Sequence, residues 1–130
     1  MSLPSNLDLI LLASLILFSL FSNSLLVGHA TTGTLDTASY NTGVGIAALD
    51  AITTGDHNVA VGAGAATSLT TSQNNVILGS QSANALAGGN GLNVLIGKSA
   101  GYNNVSGAYN VFIGESSGAS TSGSTNNYKK

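Results

Sequence analysis

A five-residue motif recurs along the chain at an almost fixed interval, and this repeat limits the possible folds more than any other feature. Each copy begins with Asn, continues with mostly small or β-branched residues and ends with Gly. The copies begin at Asn41, Asn58, Asn75, Asn93 and Asn110, with spacings of 17, 17, 18 and 17 residues. A fixed period of this kind indicates one supersecondary unit per copy, with each unit stacked on its neighbours.

The length and composition of the motif indicate a short strand. Seventeen residues are too few for two helices with their turns, whereas Asn, apolar residues and Gly in that order are typical of a strand that ends in a turn. We therefore predict an all-β fold over residues 31–120, a parallel β-solenoid or β-roll of about five 17-residue coils. Stacking places like residues above one another, so the amides of the five motif Asn residues should form a structural ladder.

The strand residues also suggest how copies of the chain could associate. We number each coil from its motif Asn, which is position 1. Alternate side chains of a strand point to opposite faces, and positions 2 and 4 carry Val, Leu or Ile that could fill the inside of a coil. Position 3 would then point outward, where leaving a large apolar side chain in water forgoes about 1.5–3 kcal/mol. We expect sister chains to cover this column, unless it thickens the core of one chain. The self-association residues predicted in this way are Ala60, Ile77, Leu95 and Phe112.

The first 30 residues form a separate, hydrophobic segment. Residues Leu7 to Leu20 are mostly apolar and would form a helix long enough to reach across a bilayer core. Gly28-His29-Ala30 offers a small-residue cleavage site, whereas the start of the chain lacks the Lys or Arg of a signal peptide. Three alternatives stay open: a cleaved signal peptide, a membrane anchor over residues 7–27, and a helix packed in a filament core.

Composition points away from chemistry and from nucleic acid. The chain has five acidic and three basic residues, no Cys, and no charged residue between Asp56 and Lys98. No basic patch is available for nucleic acid, and the two His residues have no neighbours that would make a catalytic triad or a metal site. We predict a non-enzyme without catalytic, cofactor-binding or metal residues. Asn104-Val105-Ser106 is a lone N-glycosylation sequon, and residues 121–130 are expected to be a flexible polar tail.

The repeats resemble those of a known family. The stretches "YNVFIGESSG", "NVLIGKSAGYNN" and "NTGVGIAAL" resemble repeats of bacteriophage tail fibres that precede a self-cleaving endosialidase-type chaperone. They are more distantly similar to the head repeats of YadA-like trimeric autotransporter adhesins. The resemblance covers the repeat region, residues 38–120. It implies a homotrimer of left-handed or intertwined parallel β structure, used as a stalk or an adhesive head.

These features together predict a structural role. Five coils of about 4.8 Å would stack to only about 25 Å, so a fibre would need subunits that join. We predict a structural subunit of an extracellular or virion-associated fibre, which assembles through apolar strand faces and end-to-end contacts. The alternative is an adhesin head or tail-fibre module that binds a surface glycan or protein. The expected partner is the chain itself, as a homotrimer or polymer. A membrane could bind residues 7–27, and a host glycan is a further candidate. The expected location is extracellular, at the cell surface or on a virion.

Overall fold

The computed structural model describes residues 23–28, 36–89, 91–120 and 128–129. In these ranges the backbone forms seven strands of two or three residues. The strands are β1 (Leu25–Val27), β2 (Thr42–Val44), β3 (Val59–Val61), β4 (Val76–Leu78), β5 (Val94–Ile96), β6 (Val111–Ile113) and β7 (Tyr128–Lys129). Each strand pairs in parallel with the next one along the chain, and together they form one sheet in the order β1 to β7. The predicted all-β parallel solenoid is therefore confirmed, and no helix occurs in the described ranges.

The strands keep the register of the sequence repeat. Thr42 lies opposite Val59, and Val59 lies opposite Val76, each pair being 17 residues apart. Val76 lies opposite Val94, 18 residues further on. The extra residue of this coil falls in the Gly-rich stretch before Asn93, outside the strand, so the pairing of β4 with β5 is undisturbed. Loops take insertions more easily than strands do.

The solenoid extends further in both directions than predicted. Strand β1 lies within the 1–30 segment, and its residues pair with those of β2. Strand β7 lies within the 121–130 tail and pairs with β6. The predicted limits of the solenoid at residues 31 and 120 are therefore too narrow. The helix predicted for the apolar run from Leu7 to Leu20 lies outside the described residues.

The position-3 column lies inside the coils, so the prediction that it faces sister chains is wrong. Ala60, Ile77, Leu95 and Phe112 are all 0% exposed within a single chain. They belong to one hydrophobic core that also contains Leu49 and further apolar side chains from the turns of each coil. The alternative, that this column thickens the core of its own chain, is the arrangement observed.

The alternation of strand side chains explains why this column points inward. The ladder Asn at position 1 is buried in every coil from Asn41 to Asn110. Positions 1 and 3 are two residues apart, so in an extended strand they share a face. Positions 2 and 4 are then forced outward, and the burial pattern of β3 runs from half-buried Val59 through buried Ala60 to exposed Val61.

From β2 to β6 the side chains at position 3 grow along the chain while those at position 9 shrink. Gly43 lies beside Leu49, and a Cβ on Gly43 would be 3.4 Å from Leu49 Cδ1. Ala60 has Ala66 as its position-9 residue, and both are fully buried. In the last coil Phe112 packs over Gly118, where a Cβ would overlap the ring. Each large side chain at one of the two positions is therefore paired with Ala or Gly at the other, which leaves it room in the close-packed interior.

Gly at position 5 ends every strand from β1 to β6 for a steric reason. Gly45, Gly62, Gly79 and Gly97 have φ values between 130° and 136°, which side chains with a Cβ rarely adopt. A Cβ at Gly79 would also lie 2.6 Å from the carbonyl carbon of Gly97 in the next coil. The corner after the strand therefore needs Gly both for its backbone conformation and for the close approach of successive coils.

Candidate functional site

The predicted Asn ladder is confirmed, and it runs through all the coils from Asn41 to Asn110. In each step the backbone N–H and the Nδ2 of one Asn both donate to the Oδ1 of the preceding Asn. Asn58 donates to Asn41 at 2.9 and 3.0 Å, and Asn75 donates to Asn58 at 3.1 and 2.8 Å. Asn93 and Asn110 repeat the arrangement at distances between 2.9 and 3.1 Å.

The second hydrogen of the ladder amide ties the ladder to the rest of the coil. Asn41 Nδ2 donates to the carbonyl of Gly55 at 2.8 Å, and Asn58 Nδ2 donates to the carbonyl of Ser72 at 3.0 Å. Gly55 and Ser72 lie just before the next motif, so each bond closes one turn of the backbone. Because buried amides without partners cost about 1–3 kcal/mol each, this saturation makes Asn hard to replace at position 1.

The first described coil begins with Ser in place of Asn. Ser24 lies 17 residues before Asn41, and its Oγ accepts the backbone N–H of Asn41 at 2.9 Å. Seventeen residues after Asn110 the sequence again has an Asn, at position 127. Ser24 and the Asn at position 127 are the sequence signals for strands β1 and β7. Neither belongs to a full copy of the five-residue motif, so an alignment of the five full copies does not include them.

The outward face of the sheet is apolar and partly exposed. It consists of positions 2 and 4 of the strands, and we call these residues the outer strand face. Its members in β1 to β6 are Leu25, Val27, Thr42, Val44, Val59, Val61, Val76, Leu78, Val94, Ile96, Val111 and Ile113. All are apolar except Thr42, and none is fully buried. This face is the surface that sequence reasoning assigned to the interior, and it carries no charge.

A column of exposed side chains lies next to this face, at the corner before each Asn. Its members from β2 to β6 are Tyr40, His57, Asn74, Leu92 and Tyr109, and their φ values of 57° to 60° lie in the left-handed region. The rings of Tyr40 and His57 stack in parallel, with centroids 4.9 Å apart and an interplanar angle of 4°. Asp56, the sequence neighbour of His57, accepts the backbone N–H of Ser39 at 2.7 Å, so its carboxylate has a structural role in the turn.

The glycosylation sequon is inaccessible in the folded coil. Asn104 is 0% exposed, and its Oδ1 accepts the backbone N–H of Gly107 at 2.7 Å. It takes the place that Ile52 and Leu69 occupy in earlier coils. Its Nδ2, together with Ser117 Oγ, is buried without a hydrogen-bond partner in the described structure. A glycan on this amide would therefore require the coil to open.

Among the described residues, no group of three or more His, Cys, Asp or Glu side chains is placed to hold a metal ion. The same part of the chain contains no helix long and apolar enough to cross a membrane. The chain matches no protein-family model, no curated protein and no solved structure. The resemblance to tail-fibre and adhesin repeats therefore stays a prediction made from the residues.

Proposed function

We propose that this chain is a non-catalytic structural subunit of an extracellular or virion-associated fibre. The observation that carries the proposal is the continuity of the interior along one axis. The same pair of hydrogen bonds joins Asn to Asn at every step from Asn41 to Asn110. A sheet in strict register and an amide ladder resist bending and stretching together, and a fibre needs those properties.

Assembly would use the surfaces that one chain leaves uncovered. Strands that are apolar on both faces are normally covered on both, and no described residue covers the outer strand face fully. Strands β1 and β7 are the edges of the sheet that the described residues form, and edge strands offer backbone N–H and C=O groups for further pairing. Lateral contacts through the outer strand face and end-to-end contacts through β1 and β7 would together build a homotrimer or a polymer.

The N-terminal segment decides how the subunit is held in place. A cleaved signal peptide leaves an exported solenoid, whereas a retained segment could anchor the chain in a membrane or pack in a filament core. The predicted anchor over residues 7–27 would then have to end before Leu25, because Leu25–Val27 pair with β2. Mass spectrometry of the mature N-terminus separates these alternatives. A start at Thr31 would, however, remove the strand β1 and with it the partner of β2, so a retained segment fits the described fold better.

The fibre proposal is tested on purified full-length protein. We expect multi-angle light scattering to show oligomers and negative-stain electron microscopy to show thin filaments of uniform width. Monomers in the first measurement, together with the absence of filaments in the second, would refute the proposal.

One observation favours an adhesin head as a second candidate. Tyr40 is 56% exposed and its ring stacks on His57, so the pair presents a flat aromatic surface of the kind on which sugar rings can pack. Glycan-array binding that is lost in Tyr40→Ala and kept in Tyr102→Ala would support this alternative. Equal binding by both variants, or none by the native chain, would exclude the Tyr40 platform.

A further inference from the structure

We infer that copies of this chain associate side by side through the outer strand face, in a weak contact that salt does not disrupt. The inference rests on the proposed fibre function and names the surface and the partner. Position 4 supplies the most exposed members of the face, and Val44, Val61 and Ile113 are between 37% and 45% exposed. Exposed apolar patches that extend over neighbouring residues usually mark interaction sites.

The spacing of the face favours a second copy of the chain as its occupant. Side chains of one column repeat with the strand spacing of about 4.8 Å, and they form two parallel apolar ridges along the solenoid axis. A surface with the same period can insert its ridges between them at every rung, as the facing layers of packed sheets do. A second copy of this chain has that period because its strands have the same spacing.

The absence of charge excludes partners that would be chosen by electrostatics. Residues 57–97, which include β3, β4 and β5, contain no Asp, Glu, Lys or Arg. The nearest described ion pair, Lys98 with Glu115, lies at position 6 and is satisfied within the chain. An acidic or basic partner would therefore gain nothing from this face, whereas two copies can approach each other without repulsion.

The size of the face sets the strength of the contact. Six rungs of about 4.8 Å and three residues of about 3.3 Å give a patch of about 290 Å². Stable interfaces bury about 800 Å² on each partner, so one pair of faces should hold only weakly. Flanking apolar residues such as Ile46 and Leu92, which are 73% and 46% exposed, would enlarge it modestly. The contact then becomes strong only where many subunits are linked along a fibre.

Single-Cys variants of the full-length chain test the inference, because the native sequence has no Cys. Leu78 lies on the central strand β4 of seven, so it is near its counterpart whether two copies run parallel or antiparallel. Asn84 is half-buried like Leu78 but lies in the turn of the same coil. We expect a short bis-maleimide to cross-link Leu78→Cys severalfold more than Asn84→Cys, and ammonium sulfate to increase the yield.

Equal cross-linking of the two variants, or a yield for Leu78→Cys that falls as salt is raised, would overturn the inference. Circular dichroism of each variant confirms that the strands are intact.

A second pair of variants, Val61→Lys and Asn84→Lys, distinguishes a failure of the lateral contact from a failure of the fibre proposal. We expect only Val61→Lys to lower the oligomer fraction in light scattering. Normal filaments and oligomers with Val61→Lys would refute the lateral contact and leave the fibre proposal standing.

Discussion

The coil that starts at Asn41 and the coil that starts at Asn110 fill the same interior from opposite sides. The first has Gly43 in its strand and Leu49 in its turn, whereas the last has Phe112 in its strand and Gly118 in its turn. Leu49 and Phe112 are both 0% exposed. The strand residues differ by a whole aromatic ring, yet every strand from β2 to β6 has three residues and pairs in the same register.

This comparison shows that the sequence varies in pairs within a coil. A column viewed alone, such as position 3, appears to taper along the axis and suggests an assembly that widens toward one end. Viewed with position 9, the same column shows that each large side chain at one position is paired with Ala or Gly at the other. Core positions tolerate substitutions that keep the total volume, so the repeat can drift in sequence while its rise and register stay fixed.

Removing the largest interior side chain should have the largest effect. Phe112→Ala leaves a cavity beside Gly118 and should lower the free energy of unfolding by about 3–5 kcal/mol. Gly118→Leu should partly restore stability in the Phe112→Ala background, because Leu49 occupies the equivalent position with a φ of 58°. Chemical denaturation of the two single variants and the double variant measures the coupling.

Gly118→Leu alone should be destabilising, since its Cβ would overlap the Phe112 ring. A double variant whose loss equals the sum of the two single losses would contradict the exchange of volume between positions 3 and 9.

The Gly column at position 5 should tolerate no such exchange. Gly79→Ala places a Cβ against the backbone of Gly97 and forces a φ of 134° on Ala, so we expect a loss of about 2–4 kcal/mol. Gly64→Ala is the matched control, because its Cβ would meet atoms no closer than 3.5 Å and Ala47 has the equivalent place with a φ of 57°. Thermal unfolding of both variants should separate them clearly, and equal melting temperatures would refute the steric explanation.

A break in the middle of the ladder should cost somewhat less. Asn75→Ala removes the oxygen that accepts the backbone N–H of Asn93 at 3.1 Å and its Nδ2 at 2.9 Å. The orphaned donors are buried, so we expect a loss of about 2–3 kcal/mol. Asn103→Ala changes an exposed Asn and should shift stability by less than about 0.5 kcal/mol. Denaturation curves that coincide for the two variants would show that the ladder contributes nothing.

The surface column at position 6 should matter least. Lys98 and Glu115 stack there with an Nζ–Oε1 distance of 3.5 Å, but their side chains are 65% and 71% exposed. Solvent and salt screen such a pair, so Glu115→Ala should change the free energy of unfolding by less than about 1 kcal/mol. The difference should disappear in high salt, and a larger effect that persists there would point to a role for Glu115 beyond this ion pair.

The repeat itself made the class of fold predictable. The backbone of each coil from Asn41 to Asn110 requires the same spacing, an Asn at position 1 and a Gly at position 5. The Asn ladder and the parallel strands therefore follow from the residues. The insertion before Asn93 was also predictable, because its Gly residues indicate a turn. The outer strands β1 and β7 were missed because they keep only parts of the motif, with Ser24 in place of Asn at one end.

The direction of the strand faces could not be taken from size alone. Positions 2 and 4 carry as much apolar volume as position 3, and a strand alternates faces whichever set points inward. The deciding residue is the ladder Asn, whose amide is satisfied only inside the stack and which shares a face with position 3. Judging the faces by apolar content therefore placed Ile77, Leu95 and Phe112 on the wrong side of the strand. Their position two residues after the buried Asn would have placed them inside.

The most direct test of the account compares two adjacent residues of β3. Ala60→Cys and Val61→Cys are each treated with a maleimide under native conditions, at concentrations where light scattering shows single chains. The account predicts rapid labelling of the Cys at position 61 and protection of the Cys at position 60 until the chain unfolds. Rapid labelling at position 60 with protection at position 61 would contradict it.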